Sequence, residues 1–224
     1  MTSMRERFRA PASPIVRFIQ RFQYAQNRKR RYGPGPRALS AVRKWRLLLT
    51  HPHANIQFLG PVYIGPGFSL HIPGPGAFVI GPNVEFRRDF RAEIEGEGTI
   101  RVGADTSFTY GVVMQCTQGI SVGSGCALAR GVTIVDGQHR FRDASLPIGD
   151  QGYDWHPIQI GDDCWLGANC SVMASMGDRV VVGANSVVTR DLPSFTVAVG
   201  APAEVVDAFG PGQRSELGTR GGEN

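Results

Sequence analysis

The sequence has 224 residues and a formal charge of +5, with 29 glycines, 15 prolines and 42% hydrophobic residues. Glycine used this heavily without a collagen-like period indicates an all-β protein with many turns, and the hydrophobic content argues against a disordered chain. Since no apolar run approaches the roughly 20 residues of a membrane span and no secretion-signal stretch is recognisable, we expect a cytoplasmic protein with one main folded unit.

The positive charge is concentrated in the first 50 residues. They carry 13 lysines and arginines against a single acid, Glu6, for a net charge of +12, whereas residues 51–224 have a net charge of −7. The main body of the protein is therefore mildly acidic. No nucleic-acid partner is expected.

Two helices are predicted within this basic N-terminal segment, residues 1–52. Apolar residues recur at helical spacing over 13–31 and over 38–50, on either side of a Gly-Pro-Gly-Pro linker at 33–36. The second helix has one apolar face: Ala38, Val42, Trp45 and Leu49. The helices either pack on the end of the main domain or on a neighbouring subunit, or they attach residues 1–50 to an anionic surface at the inner face of the membrane or to a glycolipid.

A short repeat runs through the main domain, predicted to span residues 53–207. Six apolar-x-apolar-Gly units occur, at 62–65, 78–81, 100–103, 120–123, 158–161 and 180–183. Between them aliphatic residues recur every six positions, as at Val122, Leu128 and Ile134. Because side chains alternate across a strand, each unit points two residues inward, and three such sides close a coil of about 18 residues.

Small and flexible residues mark the turns and corners of this coil. Positive φ angles, which glycine and asparagine tolerate, are expected at six positions: Gly67, Asn83, Gly125, Gly131, Asn169 and Asn185. A second set of residues fills a small inward position: Cys126, Cys164, Cys170 and Ser186. Since the four cysteines include no C-x-x-C pair, we interpret three of them as core residues and not as metal ligands or redox groups.

The repeat is interrupted once and fades at the end of the chain. Residues 140–157 carry no repeat, which predicts a loop that leaves the coil, and long loops in compact domains are often functional. Residues 208–224 are polar and glycine-rich, and we expect a flexible tail there.

Two segments, IGDDCWLGANCSV (160–172) and VVVGANSVVTRDLPSFTVAVGAPAEVV (180–206), resemble the C-terminal half of the hexapeptide-repeat acyltransferases. The resemblance covers about residues 60–206, with the maltose and galactoside O-acetyltransferases and the polysaccharide O-acetyltransferases as nearest types. It implies a left-handed parallel β-helix, an acetyl-CoA co-substrate, no metal, and a homotrimer with each active site between two subunits.

The same resemblance identifies a catalytic residue. Segment 122–141 is similar to the family segment that ends in a histidine as the chain leaves the coil, and that histidine is His139 here. An imidazole suits removal of a hydroxyl proton at neutral pH, as acyl transfer from a thioester without a covalent intermediate requires. Asp136, Asp143 or a backbone carbonyl are the alternatives for orienting its ring.

Further site residues follow from the resemblance, for the donor and for the acceptor. Residues that match the acetyl-CoA groove are Trp165, Gly167, Ala168, Ala184, Thr189 and Arg190. Candidate acceptor contacts are Thr109, Tyr110, Gln115, Cys116, Asp136 and His156. Residues 107–118 lack the Asn and Asp of galactoside-type members, and segment 148–155 (IGDQGYDW) is more similar to members that modify polysaccharide or glycolipid precursors. The predicted acceptor is therefore a hydroxyl of a saccharide or of a glycolipid or polysaccharide precursor.

Three other functions are kept as alternatives. An N-acetyltransferase of an amino sugar or antibiotic would use the same fold, and so would a noncatalytic scaffold. A γ-carbonic anhydrase would need a second histidine close in sequence to His139, and none lies within ten residues of it.

Overall fold

The structure is a computed structural model, and it describes residues 33–210. Its helix, α1 (Pro34–Thr50), begins four residues earlier than predicted, because part of the expected linker forms the first turn. Proline is accepted there, since the first amides of a helix have no partner within it. The predicted helix over 13–31 lies outside the described residues.

The second half of α1 is held by three contacts. The chain divides into two compact units at Val42, and residues from Arg43 onward belong to the larger one. Within that unit Leu47 is buried, Arg43 Nη1 donates to Ile64 O at 3.0 Å, and Lys44 Nζ lies 5.9 Å from the centre of the Phe58 ring. These contacts fix which face of the helix is turned inward.

The apolar face of α1 is turned outward. Trp45 is 67% exposed and Leu49 is 74% exposed, so the second half of the helix packs on the main domain without using this face. Helical spacing revealed the stripe, but Leu47 and Arg43 on another face make the contacts. The neighbouring subunit and the anionic membrane remain as its predicted partners. Within residues 33–210, no helix is long and apolar enough to cross a membrane.

The strands form three parallel sheets, the sides of the coil. Side A contains, in spatial order, β1 (Asn55–Phe58), β4 (Ala77–Ile80), β7 (Thr99–Val102), β10 (Gly119–Val122) and β15 (Ile158–Ile160). Side B contains β2 (Val62–Ile64), β5 (Val84–Arg88), β8 (Ser107–Tyr110), β11 (Ala127–Leu128), β16 (Trp165–Leu166), β18 (Val181–Val182), β20 (Thr196–Val199) and the antiparallel β21 (Glu204–Ala208). Side C contains β3 (Ser69–His71), β6 (Arg91–Ile94), β9 (Val113–Cys116), β12 (Thr133–Val135), β17 (Ser171–Val172) and β19 (Val187–Val188).

The chain visits the sides in the order A, B, C, and the parallel strands pair with the strands one coil away. This is the predicted left-handed parallel β-helix. The alternation of buried and exposed residues along the strands places two side chains per strand in the core, as Ile120 and Val122 show on β10. Among the strands of residues 33–210, those of the short hairpin of β13 (Gly137–His139) and β14 (Tyr153–Trp155) stand outside the three sides.

Coil length changes along the β-helix and departs in both directions from the predicted length of about 18 residues. Asn55 pairs with Ala77, a step of 22 residues, and Ser107 with Ala127, a step of 20. Trp165 pairs with Val181, a step of only 16. On the shortened side A of these last coils, single bridges link Ile160, Met176 and Leu192.

The core composition follows the coil length. In the long coils phenylalanines fill the interior, with the rings of Phe86 and Phe108 stacked at 4.9 Å and those of Phe86 and Phe90 4.5 Å apart. In the short coils the fully buried positions hold smaller side chains, such as Cys170 and Val182. Wide coils therefore accommodate rings, and narrow coils accommodate aliphatic groups and thiols.

The predicted turn positions are confirmed. All six of them have φ between 58° and 73°. They are Gly67, Asn83, Gly125, Gly131, Asn169 and Asn185. A residue in the left-handed backbone conformation recurs at these turns because the chain changes direction sharply there while it rises little along the axis of the β-helix.

All four cysteines are free and buried, as predicted for Cys126, Cys164 and Cys170. Burial and the nearby Asp136 carboxylate raise the pKa of the Cys116 thiol to about 12, and burial also raises the pKa of Cys170. Because a reagent does not reach a buried thiol, we expect the folded protein to react with a thiol reagent such as DTNB at pH 8 many times more slowly than the unfolded protein. Fast reaction of even one thiol before denaturation would contradict this burial.

Candidate active site

His139 lies on the hairpin that leaves the β-helix between side C and side A. After β12 ends at Val135 the chain passes through Asp136, and β13 then pairs antiparallel with β14, with Gly137 opposite Trp155 and His139 opposite Tyr153. The excursion thus begins three residues before the predicted loop 140–157 and rejoins side A at Ile158, which is buried. His139 itself is exposed.

Asp136 anchors the base of this hairpin. Its side chain is buried, and its two carboxylate oxygens accept four hydrogen bonds of 2.8–3.0 Å from the backbone amides of Thr117, Gln118 and Gly119. Its carbonyl accepts a bond of 2.8 Å from the amide of His156. The predicted roles of Asp136, orienting His139 or contacting an acceptor, are therefore wrong, because its oxygens are occupied by the preceding coil.

Three aromatic rings form a column along one face of the hairpin. The ring of Tyr153 lies 4.2 Å from that of His139 and 4.8 Å from that of Trp155, nearly parallel to the latter at 17°. Trp155 covers Gly137 so closely that a Cβ atom added there would lie 1.9 Å from Trp155 Cζ3. The glycine is thus required for the column to form. We call these three rings the aromatic column.

A pocket of about 700 Å³ opens beside His139. It is lined by residues 138–143 together with Leu146, Asp150, Gln151, Asp154 and His156. The structure therefore brings His156, a predicted acceptor contact, to the same pocket as His139. Because the hairpin crosses out of the coil and returns, two histidines 17 positions apart line one cavity.

The walls of the pocket carry charges of both signs. Arg140 Nε pairs with Asp154 Oδ1 at 2.7 Å across the two strands. Hydrogen bonds from Ser145 lower the pKa of the Asp143 carboxyl, which is thus engaged with the loop and not with His139. The Gln151 side chain bonds the backbone of Asp143 and Leu146 at 2.8–3.0 Å, which folds the loop tip on itself.

The other predicted acceptor contacts do not line the pocket. Thr109 and Tyr110 lie on side B, and Gln115 donates to Glu93 Oε2 at 3.0 Å on side C. Cys116 is a core residue, 2% exposed, so its predicted acceptor contact is wrong. On β9, Gln115 points outward and Cys116 points inward, since adjacent residues of a strand face opposite sides.

The predicted donor residues lie at other corners. Trp165 on side B is 56% exposed, as expected for an outward side chain. At the corner between sides B and C, Asn185 N donates to Ala168 O at 2.8 Å, and a Cβ on Gly167 would lie 2.5 Å from Ala184 N, so these coils stack closely. Thr189 and Arg190 are exposed after β19, at the corner between sides C and A. None of the six lines the pocket of the same chain.

Comparisons with known proteins agree with the repeat and the fold. Residues 157–190 match the family model described as the hexapeptide repeat of succinyl-transferase. A Mycobacterium tuberculosis protein described as a probable acetyltransferase is 36% identical over 173 residues, 74% of this chain and 56% of its own length. An Escherichia coli protein named for O-acetyl transfer in lipopolysaccharide biosynthesis is 27% identical over 63% of this chain and 77% of its own.

The chain belongs to the hexapeptide-repeat superfamily. It spans little more than half the length of the mycobacterial relative. Among solved structures, a hexapeptide-repeat acetyltransferase from Vibrio cholerae is 27% identical with a TM-score of 0.50, over 66% of this chain and 74% of its own. A structure of the Vibrio protein complexed with acetyl-CoA has a TM-score of 0.55 and 21% identity, over 89% and 92% of the two chains.

Two rings of the aromatic column, Tyr153 and Trp155, were not predicted as site residues from the sequence. Tyr153 and Trp155 were included in the loop, although they alternate with Asp154 as residues of a strand do. Gly137 and His139 alternate with Gln138 in the same way. This second alternating stretch was the signal in the sequence for an antiparallel partner strand. Within residues 33–210 no group of three histidine, cysteine or acidic side chains is placed to hold a metal ion.

Proposed function

We propose that the protein is an acetyl-CoA-dependent O-acetyltransferase that acts on a hydroxyl of a saccharide or of a glycolipid or polysaccharide precursor. The observation that carries the proposal is the exposed imidazole of His139 beside a pocket of about 700 Å³, where the chain leaves a hexapeptide-repeat β-helix. The E. coli relative named for O-acetyl transfer in lipopolysaccharide biosynthesis supports this acceptor class. The Vibrio cholerae structure with acetyl-CoA supports the donor.

In the proposed reaction His139 acts as the general base. Its ring nitrogen takes the proton of the acceptor hydroxyl as the oxygen bonds to the acetyl carbon, which forms a tetrahedral oxyanion. A backbone N–H on the coil stabilises that oxyanion. The C–S bond then breaks, and the coenzyme A thiolate takes up the proton from the imidazolium. Substrates and products balance without a covalent enzyme intermediate.

We further propose that the complete site is formed between subunits of a homotrimer. In one chain His139 leaves between sides C and A, whereas Gly167, Ala168 and Ala184 lie between sides B and C. Threefold packing of the prism sides brings the His139 corner of one subunit toward the groove of the next. The donor contacts would then be Trp165, Gly167, Ala168 and Ala184, with Thr189 and Arg190 toward the nucleotide phosphates.

The proposed activity is tested directly with acetyl-CoA. The full chain is incubated with acetyl-CoA and a panel of saccharides, amino sugars and glycolipid extracts, and products are examined by mass spectrometry for an added acetyl group. We expect acetylation at a hydroxyl. A product acetylated only at an amine would reassign the protein to N-acetyl transfer, and failure to bind coenzyme A would support the scaffold alternative.

Mixing two inactive variants tests the shared site. His139→Ala removes the base, and Trp165→Ala removes the exposed ring of the groove. If each site takes His139 from one subunit and Trp165 from the next, random hybrid trimers carry about one quarter intact sites, and activity returns to roughly that fraction. Light scattering on the same samples should report a trimer. Mixtures as inactive as either parent would place both residues in a site within one chain.

A further inference from the structure

His139 is exposed on a strand of the hairpin, and its ring needs to be held in one orientation to act as a base. Within residues 33–210, no side chain or carbonyl lies within hydrogen-bond distance of its ring nitrogens. Asp136 is occupied by the amides of the preceding coil, and Asp143 by Ser145. Hydrogen bonding within residues 33–210 of one chain therefore does not account for the orientation of this imidazole.

We infer that Tyr153 and Trp155 are positioning residues for His139, an inference that rests on the proposed function of that histidine. The Tyr153 ring packs against the imidazole at 4.2 Å on one side and against Trp155 at 4.8 Å on the other. Directly opposed residues of antiparallel strands are the closest cross-strand neighbours, and His139 and Tyr153 are such a pair. Ring packing holds the imidazole without using either ring nitrogen, and His139 lines the pocket.

The aromatic column is tied to the β-helix at its far end. Trp155 is half-buried over Gly137, and the hydrogen bond from His156 N to Asp136 O closes the hairpin next to it. Ile158, two residues farther on, is buried in side A. Trp155 is thus fixed by the body of the protein, Tyr153 by Trp155, and the imidazole by Tyr153. A change at the base of the column is therefore transmitted to His139 without touching the pocket.

Gly137→Ala is the sharpest test, with Gly149→Ala as its matched control. A Cβ at Gly137 would lie 1.9 Å from Trp155 Cζ3, whereas a Cβ at Gly149 meets nothing within 4 Å, and both glycines are in the same excursion. Because a misplacement of about 1 Å can cost a catalytic group about 100-fold, we expect Gly137→Ala to lower kcat by roughly 10- to 100-fold with the KM for acetyl-CoA unchanged. Gly149→Ala should match the wild type.

Two substitutions of Tyr153 separate the ring from its hydroxyl. Tyr153→Ala should lower kcat to a similar extent as Gly137→Ala, and Tyr153→Phe should restore most of that loss, because the ring packing is kept. If Tyr153→Phe is as impaired as Tyr153→Ala, the hydroxyl takes part in the reaction, and a purely positioning role is overturned.

Ring orientation is also measured without any activity. In protein labelled at its five histidines, the His139 ring resonances are assigned by their loss in His139→Ala. Packing against the Tyr153 ring at 4.2 Å should displace them from the positions of a free histidine, and Gly137→Ala and Tyr153→Ala should abolish that displacement. An undisplaced resonance in the wild type, or one unaffected by both substitutions, overturns the column. A displaced resonance in a protein without acetyltransferase activity refutes the proposed function and leaves the column standing.

Discussion

His139→Ala is expected to lower kcat for acetyl transfer by about 10²- to 10⁴-fold, the range that a positioned general base contributes. The imidazole acts on the hydroxyl proton only as the transition state forms. Its removal should therefore lower kcat and kcat/KM together and leave the KM for acetyl-CoA within about threefold. Steady-state kinetics with the acceptor found in the panel measure both constants.

His156→Ala is the matched control for this substitution. His156 lines the same pocket and is also exposed, but it lies outside the aromatic column, next to the point where the hairpin closes. We expect it to raise the KM for the acceptor more than it lowers kcat, since a side chain that only contacts the substrate contributes equally to ground-state and transition-state binding. A His139→Ala enzyme with more than a tenth of normal kcat, or a His156→Ala enzyme that is the more impaired of the two, would exclude His139 as the base.

The parts of the fold that depend on local chemistry were predictable from the sequence. Asn83, Asn169 and Asn185 adopt the left-handed conformation that each turn requires, and the residue type alone indicates this. Cys164 and Cys170 fill the small inward position because the six-residue period places them there. In each case the prediction needs no knowledge of the neighbouring coil.

Features that depend on pairing between distant residues were not predictable in the same way. The length of the long coils, 22 residues, is set by which residues pair across coils. The carboxylate of Asp136 meets amides 17–19 residues earlier in the chain, and its burial is not visible in the sequence. The face of α1 that packs is likewise decided by the contacts of Arg43 and Leu47, not by the apolar stripe.

The prediction of the site residues shows the same difference between features set by position in the chain and features set by pairing of distant residues. His139 was identified because a family segment ends in a histidine where the repeat breaks, which is a property of position in the chain. Its neighbours Tyr153 and Trp155 depend on the closure of an antiparallel hairpin, which the repeat does not describe. The sequence thus located the candidate base, whereas the structure was needed to find what surrounds it.

Asp136→Ala is expected to have the largest effect on stability, lowering the free energy of unfolding by about 3 kcal/mol. The substitution leaves three backbone amides of the partly buried turn at 117–119 without their acceptor. An unpaired donor costs about 1–3 kcal/mol when fully buried, so three partly buried ones together are expected to cost about 3 kcal/mol. Asp136→Asn keeps the shape but turns an NH₂ group toward one of these donors, so we expect an intermediate loss. Urea unfolding at a fixed protein concentration measures both.

Asp143→Ala is the control for this prediction, because Asp143 is an exposed carboxylate of the same excursion whose side-chain bonds are confined to Ser145. Its removal should change the free energy of unfolding by no more than about 0.5 kcal/mol. Asp136 joins the turn of the preceding coil to the base of the hairpin, so its loss should also abolish the displacement of the His139 ring resonances, as expected for Gly137→Ala. Equal stabilities of Asp136→Ala and Asp143→Ala would mean that the buried carboxylate neither supports the turn nor anchors the aromatic column to the β-helix.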